Sequence, residues 1–165
     1  NVGPDFSFGW GQIHAYPAAK MLEDNRYFTA SITQGASTNQ NITIPARVKE
    51  AKIMLYWADY ESTPTASSAL VNDLDLTVTS GGTTYLPWVL NSAPNATTLA
   101  DPATTGTDHL NNMEQVSIFN PAAGNYSINI SGFGIPQGPQ TYFLVYEFIT
   151  EEITVSYPIG GEGFV

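Results

Sequence analysis

Cysteine is absent from the 165-residue chain, which excludes disulfides and thiolate metal sites. Charge is also scarce: 12% of residues are Asp, Glu, Lys or Arg, and only five of those are basic against fifteen acidic. A net charge of -10 with so few Lys and Arg argues against nucleic acid as a partner, because phosphate binding needs clustered basic residues. It argues equally against an anionic membrane surface, and it suits a protein that binds cations. No apolar run approaches the roughly 20 residues of a membrane-crossing helix. No signal peptide is present, and the abrupt start at Asn1-Val2-Gly3-Pro4 reads as an excised piece of a longer chain. There are two histidines, His14 and His109, neither in a setting that suggests catalysis.

Apolar residues nevertheless make up 42% of the chain, enough for one domain with a real core. With so little charge, the polar surface must be built from Ser, Thr, Asn and Gln. One stretch has helical spacing: Ala15, Ala18, Ala19 and Leu22, with Pro17 in the first turn. So short a helix needs something to pack on. After Asn25 the period changes to two. Phe28, Ala30 and Ile32 alternate with polar residues, as do Ile42 and Ile44, then Leu74, Leu76 and Val78, then Tyr126, Ile128 and Ile130. Ala51 to Trp57 and Thr141 to Ile149 are apolar enough to be central or covered strands. Gly81-Gly82 signals a hairpin into Thr83–Leu86, and Val116 and Ile118 mark a further short strand. About eight strands and no second helix predict an all-β fold, an antiparallel β-sandwich or jelly roll with one short N-terminal helix. Residues 87–110 lack periodicity, and a loop of that length inside a compact domain is usually functional or tied down. The domain reading is a terminal segment and helix at 1–24, the sandwich at 25–149, and a linker with the truncated start of an Ig-like domain at 150–165.

The strongest chemical signal is Asn72-Asp73-Leu74-Asp75. On a strand, residues two apart share a face, so with Leu74 and Leu76 turned to the core, Asp73 and Asp75 project together, roughly 6–7 Å apart. Their repulsion, roughly 2–3 kcal/mol at an effective dielectric near 20, becomes attraction when a hard cation sits between them. The chain offers oxygen ligands and no soft ones, so calcium is the expected ion. Further ligands are expected from Asp59, Asp101, Asp108, Asn112 and Glu114. Two other readings stay open: solvated carboxylates, or carboxylates capping backbone amides. Tyr60, Tyr85 and Trp88 either stack on a glycan or polypeptide or fill the core and a domain seam. Asn-x-Ser/Thr sequons stand at Asn41, Asn95, Asn125 and Asn129.

Two groups of motifs resemble a known family. Gly3-Pro4-Asp5-Phe6-Ser7-Phe8-Gly9-Trp10-Gly11-Gln12-Ile13-His14-Ala15 is similar to the run that closes the catalytic domain of subtilisin-like serine proteases, with His14 where that family has Asn. Ala69 to Leu76, Asn111 to Val116, Asn120 to Tyr126 and Gly138 to Tyr142 recur in the order of the jelly-roll domain on the C-terminal side of some bacterial subtilases. The resemblance implies a non-catalytic accessory domain of a secreted endopeptidase, calcium-stabilised, with the parent catalytic domain as its partner and polypeptide or glycan as further ligands. It implies no catalytic residue here, since the family's Asp, His and Ser motifs are missing. A carbohydrate- or polymer-binding module, or an adhesion or spacer domain of a surface protein, are the alternatives.

Overall fold

The structure is a computed structural model that describes residues 3–150, so the expected tail domain lies outside the described residues. It is a β-sandwich. The strands are β1 (Tyr27–Ile32), β2 (Ser37–Ile44), β3 (Val48–Trp57), β4 (Asp73–Ser80), β5 (Thr83–Tyr85), β6 (Trp88–Val89), β7 (Thr104–Thr105), β8 (Met113–Phe119), β9 (Gly124–Gly134) and β10 (Gln140–Thr150). They form two antiparallel four-stranded sheets, ordered β1-β10-β3-β8 and β2-β9-β4-β5, and a small ribbon of β6 with β7. The chain crosses between the two main sheets at nearly every connection. Only the tight hairpin joining β4 to β5 stays within one sheet, and this winding is a jelly roll. Gly81 and Gly82 both have positive φ, 56° and 81°, as a two-residue hairpin turn requires.

The alternation read from the sequence is the core. Ile53, Leu55, Trp57, Leu74, Leu76, Val116, Ile128 and Leu144 are all essentially inaccessible to water. β4, β8 and β9, and β3 from Ala51 onward, bury every second residue, so the two inner faces meet as one apolar layer. A polar node closes one end of it. The Trp57 indole donates to the Asn72 carbonyl at 2.8 Å, and the Asn72 amide donates to Gln140 Oε1 at 2.7 Å and to the Gln137 carbonyl at 2.8 Å. Asn112 Nδ2 donates to the Trp57 carbonyl at 2.8 Å.

Two features differ from expectation. A second helix, α2 (Ala96–Ala100), occupies the stretch without periodicity. It is one turn long, too short to show a period, and Asn95 caps it by accepting from the Thr98 amide at 2.8 Å. The N-terminal helix α1 (Ala15–Glu23) is present, but its predicted apolar stripe, Ala15, Ala18, Ala19 and Leu22, is exposed. Lys20 and Met21 instead line a shallow groove with Tyr146, Glu147 and Phe148 of β10. No residue of α1 is buried. His14 makes no side-chain cap.

Candidate metal centre

The site is built on the first half of β4. There β5 is too short to cover its edge, since the β4–β5 register begins only at Val78 and Tyr85. The bare edge faces the other sheet's outermost strand, β8. Glu114 of β8 reaches across and accepts from the Leu76 amide at 2.7 Å, so a carboxylate occupies the place of a missing strand partner. On β4, Leu74 and Leu76 are buried while Asp73 and Asp75 are half-buried on the opposite side. The β4–β9 register shifts between Asp73 and Leu74, which pair with Gly134 and Gly132. The residue left over, Phe133, bulges out and stacks on the His109 ring at 4.2 Å between centroids. His109 Nδ1 lies 2.8 Å from Asp73 Oδ2 and 3.7 Å from Asp75 Oδ1.

Burial holds the carboxyls of this cluster above their ordinary values. Burial, reinforced by Asp75 and Asp108 and partly offset by His109, pushes Asp73 up to about 6. Asp75 is raised for the same leading reason, burial. Glu114 is 1% exposed. Its burial, the hydrogen bond from Leu76 notwithstanding, drives it to about 9, with Asp75, Asp108 and Asp73 adding to the rise. Three buried carboxylate oxygens in this cluster have no hydrogen-bond partner: Asp73 Oδ1, Asp75 Oδ1 and Glu114 Oε1. Orphan buried acceptors of this kind are rare in folded proteins, because each costs on the order of 1–3 kcal/mol. Asp73, Asp75 and His109 each offer one ligand atom, all within 4.8 Å of one another, a group that could hold a metal ion.

Asp108 is buried and close enough to raise both Asp73 and Glu114, while its oxygens accept from Leu110 N–H at 2.9 Å and Asn111 Nδ2 at 2.7 Å. The remaining expected ligands do other work. Asp59 accepts from the Val71, Asn72 and Tyr60 amides at 2.7, 2.8 and 2.9 Å, the amide-capping alternative realised on a different carboxylate. Asn72 and Asn112 belong to the node around Trp57. Asp101 is exposed at the end of α2. His109 was missed, because no spacing ties a histidine in an aperiodic loop to a strand more than thirty positions earlier. Of the aromatics, Tyr60 is exposed. Tyr85 packs against the core beside Tyr126, and Trp88 lies under Gly3, where an added Cβ would meet its ring at 2.9 Å.

No family model matches the chain, and no curated protein matches it. A protein from Sulfurospirillum deleyianum with a known crystal structure is similar over 76% of this chain and 98% of its own, at 9% identity and a TM-score of 0.37. Similarity of that degree conveys neither a family nor an activity.

Proposed function

We propose that this chain is a non-catalytic, calcium-stabilised accessory domain of a secreted subtilisin-like endopeptidase, seated against the catalytic domain of the same protein. The observation that carries the calcium part is the set of three unpartnered buried carboxylate oxygens on Asp73, Asp75 and Glu114. A hard divalent ion held between Asp73 and Asp75, whose ligand atoms lie within 4.8 Å of each other, takes up their orphan oxygens and offsets the repulsion they share with Glu114. In this reading Asp73, Asp75 and Glu114 are the ligands, with Asp108 beside them. His109, with Nδ1 2.8 Å from Asp73 Oδ2, then positions that carboxylate and is not a ligand, since calcium takes oxygen.

The seat is supported by a second observation. Phe6, Phe8, Trp10, Ile13, Tyr16 and Leu22 are all exposed along the N-terminal segment, Ile13 almost completely at 98%. Apolar surface of that extent is unusual on a free domain and marks a protein contact. The same segment carries the resemblance to the end of the protease domain, so its natural cover is the rest of that domain. The outer face of the β1-β10-β3-β8 sheet continues the surface, with Tyr56 and Phe143 exposed side by side in register.

The reading is tested by melting the full chain with calcium, with magnesium and with a chelator, and by assaying casein cleavage. Calcium is expected to raise the melting temperature and magnesium to do so weakly, with no cleavage. Identical melts in calcium and chelator sink the calcium assignment, and casein cleavage sinks the non-catalytic one. Binding of soluble glycans abolished by Tyr56→Ala or Phe143→Ala would favour the polymer-binding module instead.

A further inference from the structure

The sandwich is closed on the side of the acidic cluster and open on the other. β1 is the terminal strand of its sheet. The Tyr146 amide donates to the Arg26 carbonyl at 3.1 Å, and the β1–β10 register continues unbroken from Tyr27 with Val145 to Ile32 with Gln140. In an antiparallel pair, hydrogen-bonded and non-bonded positions alternate. Phe28, Ala30 and Ile32 therefore spend their backbone groups on β10. Tyr27, Thr29 and Ser31 turn their N–H and C=O groups outward, and among the described residues no other strand pairs with them.

Folded proteins usually guard such an edge with a charge, a proline or a bulge. β1 reads Tyr-Phe-Thr-Ala-Ser-Ile and has none of the three. Its flank is also uncovered. Ala30 points to the inside of the sandwich, in phase with buried Ile32, yet it is exposed. Beside the edge, Tyr27 and Phe143 present half their surface to water. β2, the edge of the opposing sheet, is unguarded too, but its outward side chains are Ser37, Asn39, Asn41 and Thr43, with no apolar surface to cover an incoming chain.

We infer that β1 is a docking edge for an extended polypeptide, which adds as a further antiparallel strand beside Tyr27, Thr29 and Ser31. The backbone ladder fixes the class of partner: only an extended peptide offers donors and acceptors at the matching repeat. The lack of charge in β1 makes the recognition independent of ionic side chains, and apolar residues on one face of the added strand would fall beside Ala30 and Phe28. The inference uses no residue of the acidic cluster and stands independently of the calcium reading.

The experiment uses the full chain and a fluorescein-labelled peptide of alternating valine and threonine with a lysine at each end. Binding is read by polarisation, and amide exchange is read residue by residue. The expected result is slowed exchange at Tyr27, Thr29 and Ser31 on adding peptide. Affinity is expected to fall roughly tenfold when the peptide is N-methylated on the residues facing the edge, the loss expected for one or two hydrogen bonds, and to stay when the other residues are methylated. Thr29→Pro, which removes an outward donor at an edge position that tolerates proline, should weaken binding similarly. Unchanged exchange, or affinity indifferent to which residues are methylated, overturns the inference. So does concentration-dependent protection of the three amides without peptide, which would assign the edge to a second copy of this chain.

Discussion

Replacing Glu114 by Gln separates the two properties the acidic cluster combines. The carboxyl is 1% exposed and its pKa is raised from 4.5 to about 9. A folded-state pKa above the unfolded value means that the folded chain holds a proton the unfolded chain releases, so stability is full below pH 4.5 and is lost as the pH rises toward 9. At pH 7 the loss covers the interval from 4.5 to 7, worth roughly 3 kcal/mol at about 1.4 kcal/mol per unit. Gln has nearly the same shape, carries no proton to lose, and keeps an oxygen for the Leu76 amide. Its neutral amide takes the place of a carboxylate oxygen, Glu114 Oε1, that has no partner. In chelator at pH 7, Glu114→Gln should therefore be more stable than wild type, by roughly 6–12 °C in melting temperature for a domain of this size. In calcium the order reverses in response. Wild type gains about 2.7 kcal/mol at a hundredfold excess over Kd, while the variant has lost a charged ligand and gains far less. Differential scanning calorimetry in the two buffers reads both effects. A variant less stable than wild type in chelator refutes the account of the orphan oxygen, and an equal calcium response in both proteins removes Glu114 from the ligand set.

His109→Ala should leave calcium affinity within a few-fold by titration calorimetry while weakening any zinc binding, because imidazole suits zinc and not calcium; loss of calcium binding would place the ring among the ligands. Melting temperature in chelator should decline as pH rises through the window from 4.5 toward 9, following Glu114, and the shift produced by calcium should grow over the same window as protons leave the ligands; a calcium shift that shrinks with pH contradicts this. Asn72→Ala removes a side chain that donates to Gln137 and Gln140 and accepts from the Gln137 amide, so urea unfolding should show a loss of about 3 kcal/mol; a loss under 1 kcal/mol would make the node dispensable. Gly132→Ala would set a Cβ 2.5 Å from the Thr33 carbonyl oxygen and 2.9 Å from Ile135 Cγ1, and should destabilise by about 1–3 kcal/mol; a neutral result would mean that the β1–β2 turn shifts freely.

The period-two pattern made the sandwich legible because both sheets bury one face against the other. Leu74, Leu76 and Val78 are inside for the same reason that Asp73 and Asp75 are outside. The strand pairing was not legible: nothing in the sequence of β8 says that it abuts β4, and that approach is what brings Glu114 to the Leu76 amide. Asp59 illustrates the converse. An acid just after a strand reads as a free ligand, yet the chain returns to give it the Val71 and Asn72 amides, beside that of the adjacent Tyr60. Composition distinguishes neither case, because both carboxylates meet oxygen-hungry partners and only the fold decides whether these are N–H groups or an ion. The helix shows a further limit. Its apolar stripe was visible from Ala15, Ala18, Ala19 and Leu22, but a stripe reports only that a cover is wanted, and the sandwich does not supply it.

The scarcity of charge takes on meaning from the two outer faces. On the β2-β9-β4-β5 sheet the outward residues are largely Ser, Thr and Asn, and they satisfy one another. Asn129 Nδ2 donates to Ser37 Oγ at 2.7 Å, and Thr43 Oγ1 donates to Asn125 Oδ1 at 2.9 Å. Away from Asp73 and Asp75 at the start of β4 and Phe133 at the end of β9, a face of that kind is stable in water with no partner. The opposite face carries Tyr27, Tyr56, Phe119 and Phe143, each between 42% and 48% exposed, and runs on into the bare aromatics of the N-terminal segment. Burying apolar surface of this extent is worth about 25 cal/mol per Å², a gain open to one face and not to the other. The proposed seating against a catalytic domain would place the apolar sheet inward and the hydroxyl sheet outward. Charged substitutions should discriminate the faces: Phe143→Glu should disrupt association with the rest of a longer chain, whereas Ser127→Glu should leave it intact. Equal tolerance of both in a pull-down of separately expressed halves would contradict this polarity.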